Sequence, residues 1–205
     1  MTIKIIYQDE TIIAINKPPA LLSVPGIGPE KQDCAISRLL KIEPQAKIVH
    51  RLDCLTSGIM LFGVGIESQR ALNRLFHDRK IQKEYIALVP QWLEEEEGVI
   101  KFPLRCDIDN RPVQIVDYQH GKAAITRWQV TERTDEYTRL LLKPETGRTH
   151  QLRVHCAAMG HPIIGDTLYG NHQEKETRML LHADNLSFTH PFTDKELHLN
   201  AICEF

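Results

Sequence analysis

Apolar residues recur along this chain with two different periods. Short alternating or apolar runs mark strands at Lys4–Tyr7 and Thr11–Asn16, on either side of Gln8-Asp9-Glu10. Gly58-Ile59-Met60-Leu61-Phe62-Gly63-Val64 is an unbroken apolar run and predicts a buried strand. Glu84–Val89, Ala124–Thr131 and Arg139–Leu142 are rich in β-branched, aromatic and apolar residues, and Met179–Phe188 and Glu196–Asn200 close the chain as strands. Helical spacing is confined to three places. Cys34–Ile42 carries Ile36, Leu39 and Leu40 on one side, with Asp33 as its N-cap and Pro44 as its stop. Ser68–Lys80 sets Ala71, Leu72, Leu75 and Phe76 in one stripe and turns Arg70, Asn73, Arg74 and Asp78 outward. Thr149–Met159 opens on a Thr cap and ends before Gly160. Many strands and few helices give an α+β class with a mixed, mostly antiparallel sheet.

At 205 residues the chain is one large domain or two small ones. No internal repeat, low-complexity stretch or interdomain linker interrupts it, and it reads as a single domain over 1–205. No apolar run approaches the roughly 20 residues of a membrane span. The N-terminus, Met1-Thr2-Ile3-Lys4-Ile5-Ile6-Tyr7-Gln8, lacks the core and cleavage site of a signal peptide. Cys34, Cys54, Cys106, Cys156 and Cys203 are odd in number and scattered, which predicts neither a disulfide framework nor a zinc site, and a reducing cytoplasm. A monomer is the default expectation.

A net charge of −2 argues mildly against a nucleic-acid partner. That figure hides an uneven distribution. Glu94-Glu95-Glu96-Glu97 gathers four negatives in one expected solvent loop, while Arg79, Lys80 and Lys83, then Lys143, Arg148 and Arg153 with His150 and His155 interleaved, gather positives. A basic cleft on a nearly neutral protein can hold a short nucleic-acid hairpin weakly, with strong salt dependence.

The most telling chemistry lies in His50-Arg51-Leu52-Asp53-Cys54-Leu55-Thr56-Ser57-Gly58. A lone carboxylate, Asp53, follows an apolar strand-like run and precedes a turn of hydroxyls and glycine, with Arg51 beside it. Taken alone, an acid in that setting caps a turn. Other segments change the reading. They are Ile15-Asn16-Lys17-Pro18 with Ser23-Val24-Pro25-Gly26, then Lys83-Glu84-Tyr85, then Lys143-Pro144-Glu145-Thr146-Gly147-Arg148-Thr149-His150-Gln151-Leu152-Arg153-Val154-His155, then Gly160-His161-Pro162-Ile163-Ile164-Gly165-Asp166. In this order they resemble the RluA family of pseudouridine synthases, from about residue 3 to the C-terminus. A nine-residue and a thirteen-residue signature together are highly specific, where Arg-Leu-Asp alone would not be.

The resemblance implies a fold with a central sheet between two subdomains, a catalytic cleft, and no separate S4-type RNA-binding domain in front. It implies isomerisation of uridine to pseudouridine in structured RNA, with hairpin loops of large-subunit ribosomal RNA and the tRNA anticodon arm as expected targets. The N-glycosidic bond breaks, the uracil rotates, and it rejoins through carbon. Nothing is oxidised or reduced and no outside group enters, so no cofactor and no metal is expected. By resemblance Asp53 is the catalytic acid, Arg148 its ion-pair partner and orienter, and Tyr85 the ring against the uracil. Arg51 enters the stack that a flipped base vacates. Lys83, Lys143, His150 and Arg153 are expected to face RNA, with bracing of the cleft as the other reading for Arg153 and for Lys17-Pro18. Two rivals stand beside the isomerase: a catalytically silent RNA-binding module, and an Asp-dependent hydrolase of a nucleoside or glycosidic bond. The intact Asp53, Tyr85 and Arg148 set opposes the first. The lack of a second placed carboxylate opposes the second. His150 and His155, five apart, do not share a helix face as a zinc pair would, and Gly26-Ile27-Gly28 followed by Pro29 is no dinucleotide loop.

Overall fold

The computed structural model describes residues 3–90, 93–170 and 178–205, so Met1 and Thr2 of the N-terminal stretch lie outside the described residues. The elements in chain order are β1 (Lys4–Gln8), β2 (Ile12–Lys17), α1 (Ala35–Leu39), β3 (Ala46–Ile48), β4 (Ser57–Val64), α2 (Gly65–His77), β5 (Gln82–Pro90), β6 (Glu97–Ile100), β7 (Leu104–Cys106), β8 (Gln114–Val116), β9 (Thr126–Arg133), β10 (Tyr137–Pro144), α3 (Gln151–Ala158), β11 (Leu181–Thr189) and β12 (Glu196–Asn200). The chain divides into two units, Met1–Lys83 with His182–Phe205, and Glu84–Leu181.

The first unit is built on β4, whose unbroken apolar run leaves it buried along nearly its whole length. Antiparallel to it runs β2, with Ala14 opposite Leu61 and Lys17 opposite Gly58, and β1 lies outside β2. The short β3 pairs with the end of β4, and β11 runs parallel to its start, His182 opposite Ser57. β12 adds antiparallel to β11. Gly58 has φ +108, and a Cβ there would come within 2.2 Å of the Ala183 carbonyl oxygen, so only glycine permits this strand approach.

On this sheet α2 lays down Leu72, Leu75 and Phe76 against Ile12, Ile59, Leu61, Leu186 and Phe188, the stripe read from the sequence, while Arg70, Asn73 and Arg74 face out. The helix starts earlier than expected, at Gly65 rather than Ser68, and ends at His77 rather than Lys80, with Ser68 buried. The cap of α1 is Cys34, not Asp33. The Cys34 N–H donates to Ser37 Oγ, and Asp33 is taken up by Arg38 in an ion pair of 2.6 Å.

The second unit is the antiparallel series β5–β10–β9–β6 with the two-stranded ribbon β7–β8. Along β10, Thr138, Leu140 and Leu142 point inward and their neighbours outward, which is the two-residue period of the sequence made visible. The acidic run is a loop only through Glu96. Glu97 opens β6, and Arg133 anchors the approach by donating to the Leu93 carbonyl and pairing with Glu96 at 2.8 Å. The helix α3 is capped by His150 in a left-handed conformation, φ 53, one residue past the expected Thr149, and ends before Gly160 as expected. Among the described residues no helix is long and apolar enough to cross a membrane.

Candidate active site

Asp53 lies in the loop between β3 and β4, five residues past the end of β3, so no strand end holds it. Its neighbours are held instead. Ser23 Oγ donates to the Leu52 carbonyl at 2.6 Å and accepts the Leu52 N–H at 3.1 Å. Lys17 Nζ donates to the Cys54 carbonyl at 3.0 Å, and to the carbonyls of Leu21 and Pro18 at 2.8 and 2.9 Å. The Asp53 carbonyl accepts the Thr56 N–H at 3.1 Å and closes the turn. Ser57, next along, hydrogen-bonds His182 Nδ1 at 2.8 Å, and His182 Nε2 meets the Ala201 carbonyl. The residues before and after the acid are thereby fixed to buried parts of the first unit, as a functional carboxylate requires.

Lys17 also sets the local charge. It is fully buried at the end of β2. Burial pushes its ammonium down to about 8, while the charges of Cys54 and Asp53 pull the other way. Sequence reading gave Lys17 only a bracing role. The structure adds a cation whose charge reaches Asp53. A lysine closing an otherwise apolar strand before proline was the available signal.

On the other side of the acid, His50 Nε2 accepts the Leu61 N–H at 2.8 Å, and its ring lies 4.6 Å from that of Phe76. Burial, then the charge of Lys83, pushes His50 down to about 3, so the ring is neutral, as an acceptor must be. Arg51 is exposed and forms no ion pair with Asp53, which removes the default role of that arginine.

In the second unit Tyr85 is half-buried on β5, opposite Leu142 of β10. Glu84 and Lys143 pair across the same strands at 2.6 Å. Arg148 stands exposed in the loop before α3, where its Nε donates to the Ala123 carbonyl at 3.1 Å. Gln151 clamps that loop. Its Oε1 accepts the Arg148 N–H and the Thr146 hydroxyl at 3.0 and 2.7 Å, and its Nε2 donates to the Ile125 carbonyl and Thr126 Oγ1 at 3.0 and 2.9 Å. Sequence reading missed Gln151, because an amide inside a helical stretch carries no local sign that all its hydrogen bonds are used. His150 Nδ1 meets the Tyr169 hydroxyl at 2.8 Å, and that hydroxyl accepts the Gln114 N–H.

Two expectations need correction. Arg153 does not face RNA. It is buried, with Nε and Nη2 both 2.7 Å from the Asp166 carboxylate, and it stands 5.1 Å from the Tyr169 ring. A guanidinium so enclosed keeps its partner, since breaking a buried pair is costly, and bracing is its role. His155 is likewise no part of a basic surface. Fully buried, it bonds Thr126 Oγ1 and the Phe102 carbonyl, and burial lowers its basicity.

The family model described as RNA pseudouridylate synthase matches residues 11–158. The chain belongs to that family. It is similar to the dual-specificity RNA pseudouridine synthase RluA of Yersinia pestis, 46% identical over 98% of this chain and 99% of that protein. The RluA of Escherichia coli (strain K12) is 43% identical over 98% of this chain and 93% of that protein. Among solved structures, human RNA pseudouridylate synthase domain containing 1 matches with a TM-score of 0.82 at 27% identity, covering 98% of this chain and 83% of the other. The chain is thus an RNA pseudouridine synthase, and the α+β, mostly antiparallel class read from its sequence is the class of its structural neighbours. For a pseudouridine synthase the tethered Asp53 loop is chemically apt. A carboxylate held in place beside a cationic charge can attack carbon or stabilise cationic sugar character.

Proposed function

We propose that this synthase modifies uridines in hairpin loops of both large-subunit ribosomal RNA and the tRNA anticodon arm, acting in the cytoplasm without cofactor or metal. Asp53 is the catalytic carboxylate. Arg148 pairs with it and keeps it charged and oriented. Tyr85 lies against the uracil, holds it while it is detached, and assists removal of the C5 proton. Arg51 fills the stack left by the flipped base. The balance closes within the substrate: the N1–C1′ bond breaks, the C5–C1′ bond forms, C5 loses a proton and N1 gains one.

The observation that carries this reading is the Asp53 loop, fixed by Ser23 and Lys17 on both sides of the acid, in a chain similar over nearly its full length to dual-specificity synthases. The test is a pseudouridine map of cellular ribosomal and transfer RNA with the protein present, absent, or replaced by Asp53→Ala. Sites in both RNA classes should vanish in the last two. Loss in one class alone would overturn dual specificity. Free uracil and an abasic RNA from the purified protein would point to the hydrolase instead.

A further inference from the structure

Two groups of cations stand out among the described residues. Arg38, Arg105, Arg127, Arg133, Lys143 and Arg153 each hold a carboxylate at 2.5 to 2.8 Å. A second group has no such partner. Arg70 and Arg74 lie four apart on the exposed face of α2, and Arg79 and Lys80 follow in the exposed turn to β5. Among the described residues none of the four forms an ion pair. The acid within the turn, Asp78, is engaged by His77 at 2.9 Å, and Glu67, three residues before Arg70 in the first turn of α2, forms no ion pair among the described residues.

The group is continuous. The carboxyl of Asp78 is lowered by His77 first and also by the charges of Lys80 and Arg74, which places both within its electrostatic reach. Lys83 is lowered by burial and then by Arg79, and Lys83 in turn depresses His50. His50 packs on Phe76 in the last turn of α2 and stands three residues before Asp53. So a row of net positive charge, four cations against the two acids Glu67 and Asp78, runs along one helix face and its following turn toward the candidate catalytic loop. Four like charges outnumber the two acids beside them and repel one another. An anion supplied from outside resolves the repulsion.

We propose that Arg70, Arg74, Arg79 and Lys80 form a docking track for the phosphate backbone of the RNA stem next to the target loop, a proposal that rests on the reading of the chain as an RNA pseudouridine synthase. The track takes phosphates rather than bases, because its members are flexible surface cations with no aromatic platform among them. It adds affinity and orientation but no sequence preference.

The test compares the parent with Arg74→Gln/Arg79→Gln/Lys80→Gln, and with a control, Lys41→Gln/Lys47→Gln/Lys195→Gln, which removes as many exposed cations elsewhere in the same unit. Binding of an anticodon-arm hairpin and of an unrelated RNA hairpin is followed by fluorescence anisotropy across a salt series. Thermal melting confirms that all three proteins fold. Each duplex phosphate contact contributes about 0.9 to the slope of log affinity against log salt. The track variant should lose about 2 to 3 from that slope and at least tenfold in affinity at low salt, equally for both RNAs, and the control should retain the parent slope. An unchanged slope in the track variant overturns the proposal. So does an equal loss in the control, because net charge rather than a track would then be at work. Loss on only one hairpin would assign these residues to base recognition and also overturn it. Failure of the parent to form pseudouridine on any RNA would remove the functional reading, while the slopes would still decide the track.

Discussion

Asp53 was legible in the sequence because its immediate neighbours form a signature. What holds it was not, because Ser23 and Lys17 reach it only through the fold, from 30 and 36 residues upstream. The same division runs through the other residues. Arg148 stands in a legible motif, while the amide that fixes its backbone, Gln151, looks like an ordinary helix residue. Arg153 was misread because an arginine in a basic cluster and an arginine buried against a distant aspartate are written alike until Asp166 is brought to it. The residue-scale prediction concerns Asp53 itself. Asp53→Asn should abolish turnover while leaving thermal stability and RNA affinity close to the parent, because Asn keeps the size and loses the charge used on the reacting carbon. Single-turnover conversion and anisotropy on one RNA measure both. Turnover by Asp53→Asn at a sizeable fraction of the parent rate would remove Asp53 from the chemistry.

Elements with a strong period were read almost to the residue: β1, β2, β4, β12 and the stripe of α2. Elements three or four residues long, such as β3, β7 and β8, escaped, because so short a strand has no room to show a period and exists through its partner. Helix starts moved by one to three residues, to Gly65 for α2 and to Gln151, after a left-handed His150, for α3. Two predictions belong here. Gln151→Met should lower the single-turnover rate much more than RNA affinity, since it frees the Arg148 backbone without touching the surface. A role in stability alone would lower the melting temperature and leave the saturated rate of the folded enzyme unchanged. The second concerns the His50 tether between its loop and β4. The folded-state pKa, about 3, lies below the unfolded value near 6.5, so the unfolded chain takes up the proton first. The resulting stability is full above about pH 6.5 and is lost as pH falls toward 3. At pH 5 the loss is on the order of 1–2 kcal/mol. His50→Gln can still accept the Leu61 N–H and does not titrate, so its urea-unfolding free energy should fall less between pH 7 and pH 5 than the parent's. Parallel pH profiles would show that His50 is not the group concerned.

At the scale of the whole molecule, net charge was the misleading number and charge pairing the useful one. The near-neutral total argued against RNA, yet the acids neutralise particular cations, and among the described residues Arg51 and the cations of the α2 face form no ion pair. Sequence gives the count of charges, and only the fold shows which of them meet. That distinction separates Arg51 from Arg148, which look equivalent in the sequence. Arg51 is exposed and unpaired with Asp53, so its substitution should act through the RNA. Unstacking a base costs a few kcal/mol, and a planar cation entering the gap offsets part of that cost. Arg51→Ala should therefore slow a hairpin whose target uridine is stacked, and affect far less a matched hairpin in which a mismatch already bulges that uridine out. Arg148→Ala removes the proposed partner of Asp53, and the chemistry needs that partner whichever way the base arrives, so both hairpins should lose rate about equally. Single-turnover rates at saturating enzyme, for two variants on two RNAs, give the four numbers required. Equal losses on both hairpins for Arg51→Ala would assign Arg51 to the acid or the fold and remove it from base flipping. Unequal losses for Arg148→Ala would show that Arg148 serves recognition, and would leave Lys17 as the cation beside Asp53.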